Sequence, residues 1–230
     1  GSAVKDDRLD HRMEFFDPKT RPAALYWDPE ALMTAPLQLA LSSSYSVYWR
    51  AVLNLGSTDA NPLVEGHRLH AYRLATRSLS DVTRQDERGA VARIEMCAAA
   101  LLQNRDSDDG GAIVLRQWVM RTVYAFATAL FIRYPEIGQG EANAVLTPTM
   151  LRRFGARDPE AMERIAEALG VWDRAMVQAE SWKRAADMLE NYHRSLGLPT
   201  RLADLDVPRE DLPLLVRDTL KNFNADPKRE

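Results

Sequence analysis

The spacing of apolar residues changes once along the chain. Before Pro29 they come in short runs, Met13-Glu14-Phe15-Phe16-Asp17-Pro18 and Ala23-Ala24-Leu25-Tyr26-Trp27-Asp28-Pro29, each closed by Asp-Pro. Proline restricts the residue before it to extended backbone, so each run predicts a short strand ending in a turn. Two such strands are marginal alone and need each other, the helices or another chain. The charged stretch ahead of them predicts a flexible segment over residues 1–12, followed by one helical domain over 13–230.

After Thr34-Ala35-Pro36 the period becomes helical. Residues 36–53 predict the first helix, with Leu37, Ala40, Leu41, Val47 and Ala51 near one face. Asn61-Pro62 offers a cap and a first-turn proline for a second, which runs to about Leu79. A third covers 88–103 and stops at the polar residues 104–111, which predict a flexible insertion. A long helix over 113–134 carries little charge near its middle, which predicts burial on several sides. Gly138 and Gly140 predict a tight backbone turn into a helix ending at Phe154-Gly155. Asp158-Pro159 opens another, closed by Gly170; residues 174–196 form the next, ending at Gly197-Leu198-Pro199, and one more follows Pro208. The sum is an all-α bundle of about eight helices with a short N-terminal β element.

Composition narrows the classes. The 230 residues are 46% hydrophobic, enough for one substantial core. Lys and Arg number 30 against 33 acidic residues, which gives no bulk charge for a nucleic-acid duplex or an anionic membrane. Arg116, Arg121 and Arg133 interrupt the longest apolar segment, so no membrane span is expected. Cys97 is the sole cysteine, which excludes an internal disulfide; its apolar neighbours predict core packing and a reducing, cytoplasmic setting. The expected partners are a small-molecule substrate and a second copy of the chain in a homodimer, not nucleic acid or membrane.

Four segments then carry a resemblance. Leu25-Tyr26-Trp27-Asp28-Pro29 with Thr34-Ala35-Pro36 comes first, followed by Asp59-Ala60-Asn61-Pro62-Leu63. Gly140-Glu141-Ala142-Asn143-Ala144-Val145-Leu146 with Pro148 and Gly197-Leu198-Pro199-Thr200-Arg201-Leu202 complete the order. Together they resemble the helical domain of iron-containing alcohol dehydrogenases and maleylacetate reductases, over nearly the whole chain. Dehydroquinate synthase is a more distant relative, so the resemblance implies a dehydroquinate synthase-like helical domain. In that family a preceding domain binds NAD(P), and one aspartate and three histidines of the helical domain hold iron or zinc.

Counting from the matched segments places the first two ligand positions at Ser46 and Arg50 and the later ones at Ala125 and Gln139. A further pocket histidine falls on Ala129, and a family glycine on Ser44. First-row ions need carboxylate, imidazole or thiolate donors, which these residues lack, so the resemblance implies a degenerate metal site. No glycine-rich loop follows a strand in the manner of a dinucleotide cradle. The expected cofactor is therefore none, and the expected metal none.

The same counting gathers candidate site residues around the former ion. Arg50, Tyr45 and Gln139 are the expected catalytic groups: a carboxylate clamp or enolate stabiliser, a proton donor and a carbonyl-orienting amide. Ser46, Tyr48, Trp49, Arg121 and Tyr124 are the expected substrate-binding groups. Each has a plainer reading beside it. The serines can bond to the previous turn's carbonyls, the aromatics span more than one helical face and so include core residues, and Arg50 can be ion-paired. His67 and His70, three apart, read as a solvated helix face, and His11 and His193 as peripheral.

Loss of ion and nucleotide with retention of a cleft leads to one functional expectation. It is a metal- and nucleotide-independent biosynthetic enzyme acting on an unsaturated, carbonyl-containing small molecule, as a cyclase (pericyclic chemistry included), isomerase or lyase. The alternative is a noncatalytic binding subunit that docks to a separate dehydrogenase or nucleotide-binding chain.

Overall fold

The structure is a computed structural model and describes residues 2–6, 11–15, 19, 22–58, 60–106, 108–110, 117–222 and 225. Among these residues the fold is helical apart from one hairpin, in which β1 (Ser2–Asp6) pairs antiparallel with β2 (His11–Phe15), Ser2 opposite Phe15 and Asp6 opposite His11. The hairpin differs from the expected one. The second predicted strand, around Leu25–Trp27, is irregular backbone whose Tyr26 is 91% exposed, and strand structure falls instead in the segment expected to be flexible.

Nine α-helices follow among the described residues: α1 (Pro29–Met33), α2 (Leu37–Asn54), α3 (Pro62–Ser78), α4 (Glu87–Asn104), α5 (Trp118–Arg133), α6 (Gln139–Phe154), α7 (Pro159–Ala168), α8 (Ser181–Ser195) and α9 (Leu212–Lys221). The short α1 is the one the apolar spacing did not predict. Asp28 caps it, accepting from the amides of Glu30 and Ala31, so the Asp-Pro read as a strand stop is a helix start. Asn61 caps α3 in the same way through Leu63 and Val64. The helix expected from 174 begins only at Ser181. Asp173 Oδ1 accepts from Ala175 N at 2.8 Å and Trp172 Nε1 reaches Val177 O at 3.2 Å, and these local bonds hold a turn where the helix was expected. The first residues of the expected helix 113–134, residues 113–116, lie outside the described set.

Helices α2 and α6 form the centre, with α5 and α8 against α6, and α3 and α4 against α2. The core runs through Tyr45, Leu53, Val123, Leu130, Leu151, Ile165 and Leu189. At the start of α6 two helices come unusually close. A Cβ on Gly140 would lie 2.0 Å from Ser42 O, and Gly140 N donates to Ser42 Oγ at 3.2 Å. Gly138 has φ −71° and ψ 153°, open to any residue, so these glycines serve close approach to α2 and not a special turn. Glu141 locks the junction: its carboxylate accepts from Gly138 N at 2.6 Å and from the Gln38 side chain. This contact fixes the start of α6 against the first half of α2.

Candidate functional site

The predicted site residues divide between two faces of α2. Ser46 and Arg50, one turn apart, share a half-buried face. Ser46 Oγ bonds back to Ser42 O at 3.3 Å, the plainer of its two expected readings. Arg50 reaches across to the end of α4, where Nη2 donates to Gln103 O at 2.8 Å and Nη1 to Asn104 Oδ1 at 2.9 Å. Gln103 answers by donating Nε2 to Val47 O at 2.9 Å. The guanidinium is thus held at a helix C-terminus, where backbone carbonyls favour a cation, by a clasp closed in both directions. Its Nε is buried without a partner, and burial lowers its pKa while Asp106 acts to raise it.

Tyr45, Tyr48 and Trp49 belong to the opposite face and the core. The Tyr45 hydroxyl bonds to Nε2 of His193, with the rings edge-on at 4.9 Å. Tyr48 packs edge-on against Tyr192 at 5.5 Å, and Trp49 Nε1 donates to Thr147 Oγ1 at 2.8 Å. Burial raises both tyrosine pKa values, which leaves them as neutral packing groups. His193, expected at the periphery, is 0% exposed, and burial lowers its pKa to about 4.

Arg121, Tyr124 and Gln139 are half-buried on α5 and α6, like Ser46 and Arg50. Tyr124 stands within electrostatic range of Arg50, and Arg121 Nε is buried without a partner. Ala125 and Ala129 are buried and offer only methyl groups. Among the described residues no three His, Cys, Asp or Glu side chains gather so as to hold an ion. A serine, an arginine, an alanine and a glutamine at the expected ligand positions do not fit iron or zinc, since no anionic or imidazole donor is present and one group is itself a cation.

Asp106 and Arg68 beside Arg50, and the contacts that follow them in the chain, form no motif in the sequence. Asp106, inside the stretch expected to be flexible, is 1% exposed and receives Arg68 Nε at 3.2 Å. Asp109 Oδ2 meets His67 Nε2 at 2.9 Å, and its carbonyl accepts from Asn61 Nδ2 at 2.6 Å. So His67 is a docking residue for that stretch, while His70 remains exposed as expected. The signal available was the run of carboxylates at 106, 108 and 109 downstream of Arg50 and Arg68. Cys97 is half-buried and its thiol pKa is raised by burial, the opposite of a reactive thiolate. No helix among the described residues is long and apolar enough to cross a membrane.

Residues 50–229 match the sequence pattern of the iron-containing alcohol dehydrogenase family, C-terminal part. The chain is 27% identical over 204 residues to the 1,3-propanediol dehydrogenase of Klebsiella pneumoniae, covering 89% of this chain and 50% of that protein. It is 26% identical over 217 residues to the maleylacetate reductase of Burkholderia cepacia, covering 92% and 54%. A crystal structure of 1,3-propanediol oxidoreductase superposes with a TM-score of 0.69 at 27% identity, covering 86% of this chain and 49% of the other. The NADH-dependent butanol dehydrogenase A of Thermotoga maritima superposes with a TM-score of 0.80 over 98% and 55%, and at 15% identity shows the fold alone.

The chain spans about half the length of the curated relatives it matches. These findings correct the functional expectation. The curated relatives are alcohol dehydrogenases and aldehyde or maleylacetate reductases, so the reading as a cofactor-independent cyclase, isomerase or lyase is overturned. The degenerate metal site and the family stand together: the chain belongs to the iron-containing alcohol dehydrogenase family, by its C-terminal helical part, without an intact ion-binding cluster among its described residues.

Proposed function

We propose that this chain is the carbonyl-binding part of an alcohol or aldehyde oxidoreductase of the nicotinamide-dependent kind, in which the Arg50 guanidinium stands where the family places an ion. The support is the clasp of Arg50 between α2 and α4, together with relatives named as NAD-dependent methanol dehydrogenase and lactaldehyde reductase. The described residues hold no strand, glycine loop and helix in dinucleotide order, so a nicotinamide would be presented by polypeptide other than these. When bound, it exchanges the hydride.

This chain acts on the oxygen. Reduction of a carbonyl builds negative charge there, and a positioned cation with free N–H groups stabilises that charge without reorganising. A guanidinium has five N–H groups, of which Gln103 O and Asn104 Oδ1 occupy two. Tyr124, within electrostatic range of Arg50, orients the substrate, and Gln139 and Arg121 are assigned to the same task from the starts of α6 and α5. Ser46 leaves space at the position of the family's aspartate. Tyr45, Tyr48 and Trp49 support this wall from behind through their core contacts and do not touch substrate. No step runs through a metal ion.

The reading is tested with butyramide, a stable carbonyl mimic, by heteronuclear NMR on the chain and on Arg50→Met and Arg50→Lys. Shifts are expected at Gln103, Asn104 and Tyr124, lost in Arg50→Met and weakened about tenfold in Arg50→Lys, which cannot keep a planar two-point hold. NADH-dependent reduction of butanal by the chain in its native assembly should survive exhaustive chelation. Stoichiometric iron or zinc in the purified protein, or butyramide binding indifferent to Arg50, would overturn it.

A further inference from the structure

One turn beyond Arg50 the same helix meets a cavity, which Arg50 does not line. It has a volume of about 330 Å³ and lies between the end of α2, α3 and α7, with Asn54 and Arg68 among its walls and Arg164 and Arg174 at its rim. That size suits a small metabolite.

Its inner walls are unfinished in hydrogen-bond terms. Asn54 is 0% exposed, yet neither Nδ2 nor Oδ1 has a partner. Arg68 is 3% exposed; Asp106 takes its Nε, while Nη1 is buried and unpartnered. Buried polar atoms in native proteins find partners, so a side chain with both amide atoms idle on a cavity wall calls for one. Asn54 offers a donor and an acceptor side by side, and Arg68 adds further donors. The complement is an oxyanion with a hydroxyl close to it. At the rim Arg164 donates to Ser57 O at 3.0 Å and keeps donors to spare, and Arg174 is exposed. Glu65 and Glu167 also line the cavity and Asp106 pairs with Arg68, so three carboxylates balance the three arginines and the pull on an anion comes from placement, with Arg164 and Arg174 at the rim.

We propose that this cavity binds a small monoanionic hydroxycarboxylate. Its carboxylate is received by Arg68 Nη1 and Asn54 Nδ2 and its hydroxyl donates to Asn54 Oδ1, with Arg164 and Arg174 drawing it in. The site lies beside the carbonyl-binding region proposed above and does not depend on it.

Isothermal titration of the full chain with glycerate tests the proposal, with propionate, 1,2-propanediol and inorganic phosphate as comparison probes. Glycerate should bind, propionate about tenfold more weakly for want of the hydroxyl, and 1,2-propanediol not measurably for want of the charge. Asn54→Leu should abolish glycerate binding and raise the melting temperature, since it removes two idle polar atoms. Arg174→Ala, at an exposed position, should weaken binding about tenfold and keeps the test alive if Asn54→Leu does not fold. Gln139→Ala, in the carbonyl region and away from this cavity, should leave glycerate affinity within about twofold, which separates the two sites. Three results would each overturn the proposal: equal affinity for glycerate and propionate, binding of phosphate alone, or no binding with an unchanged melting temperature in Asn54→Leu. The last would mean that water fills the cavity.

Discussion

Helix α2 carries two polar faces with opposite accounts. On the Tyr45, Trp49 side the buried hydroxyl and indole are matched, Tyr45 to His193 and Trp49 to Thr147, which itself donates to Asn143 O at 2.6 Å, and the idle atoms, His193 Nδ1 and the Asn143 amide, sit one residue further back on α8 and α6. On the Arg50, Asn54 side the groups are just as firmly placed but unmatched, with Arg50 Nε, both Asn54 amide atoms, Arg68 Nη1 and Asp106 Oδ1 all buried and idle. A polar group that serves only packing tends to be closed by its own fold, because an unmatched buried donor costs about 1–3 kcal/mol. Donors and acceptors left open next to cavities are therefore where a ligand contributes something the protein lacks. Tyr45 itself is spent on His193, while Arg50 keeps an idle Nε, which is why the proposal above places the substrate on the Arg50 side.

The largest effect expected is on the open face, at the Arg68–Asp106 pair. Arg68→Met would leave Asp106 charged and buried without its partner, and should cost about 3–5 kcal/mol in urea unfolding. A loss under about 1 kcal/mol would show that Asp106 is already neutral or reached by water, and the face less enclosed than described. The matched face is sharpened by pH. His193 has a pKa lowered to about 4, so the native state keeps it neutral while the unfolded chain protonates it near 6.5. The stabilisation is complete above that unfolded value and is lost as pH falls toward 4, by about 3 kcal/mol across the window. In His193→Gln, which keeps an acceptor for Tyr45, the stability profile should flatten between those two values relative to the parent. An unchanged slope would mean that other carboxylates carry the whole acid transition. Trp49→Phe removes the indole donor and some volume, and should cost about 1–2 kcal/mol by thermal unfolding.

How much of this the sequence announces depends on the range of the interaction. Helix boundaries at Asn61-Pro62 and Gly138 to Gly140 are local, written in caps and small residues within one turn of where they act, and they fall within a residue or two of expectation. The Asp28-Pro29 pair is local too but ambiguous, since the same dipeptide stops a strand and opens a helix. What separates Tyr45 from Arg50 is not local. Both are polar residues on an apolar helix, and only the arrival of α8 at one and the end of α4 at the other decides which is closed. Asp106 is the extreme case: a stretch rich in Asp and Gly reads as solvated until Arg68, far back in the sequence, is seen to bury one carboxylate.

The smallest stability effect belongs to the position that most directly tests the lost ion. Ser46→Asp restores the expected carboxylate ligand one turn before Arg50, on the same helix face. A carboxylate there meets a guanidinium and not an ion, so it should form an exposed to half-buried pair worth about 0.5 kcal/mol or less, weakened by salt. Iron and zinc content after metal loading and gel filtration should stay far below stoichiometric, because a single carboxylate beside a cation cannot compete with water for the ion. Retention of one ion per chain in this variant would mean that Arg50 can swing clear of Gln103 and Asn104. The clasp would then be a resting contact that yields to a better ligand, and the assignment of a fixed cation to this face would fall with it.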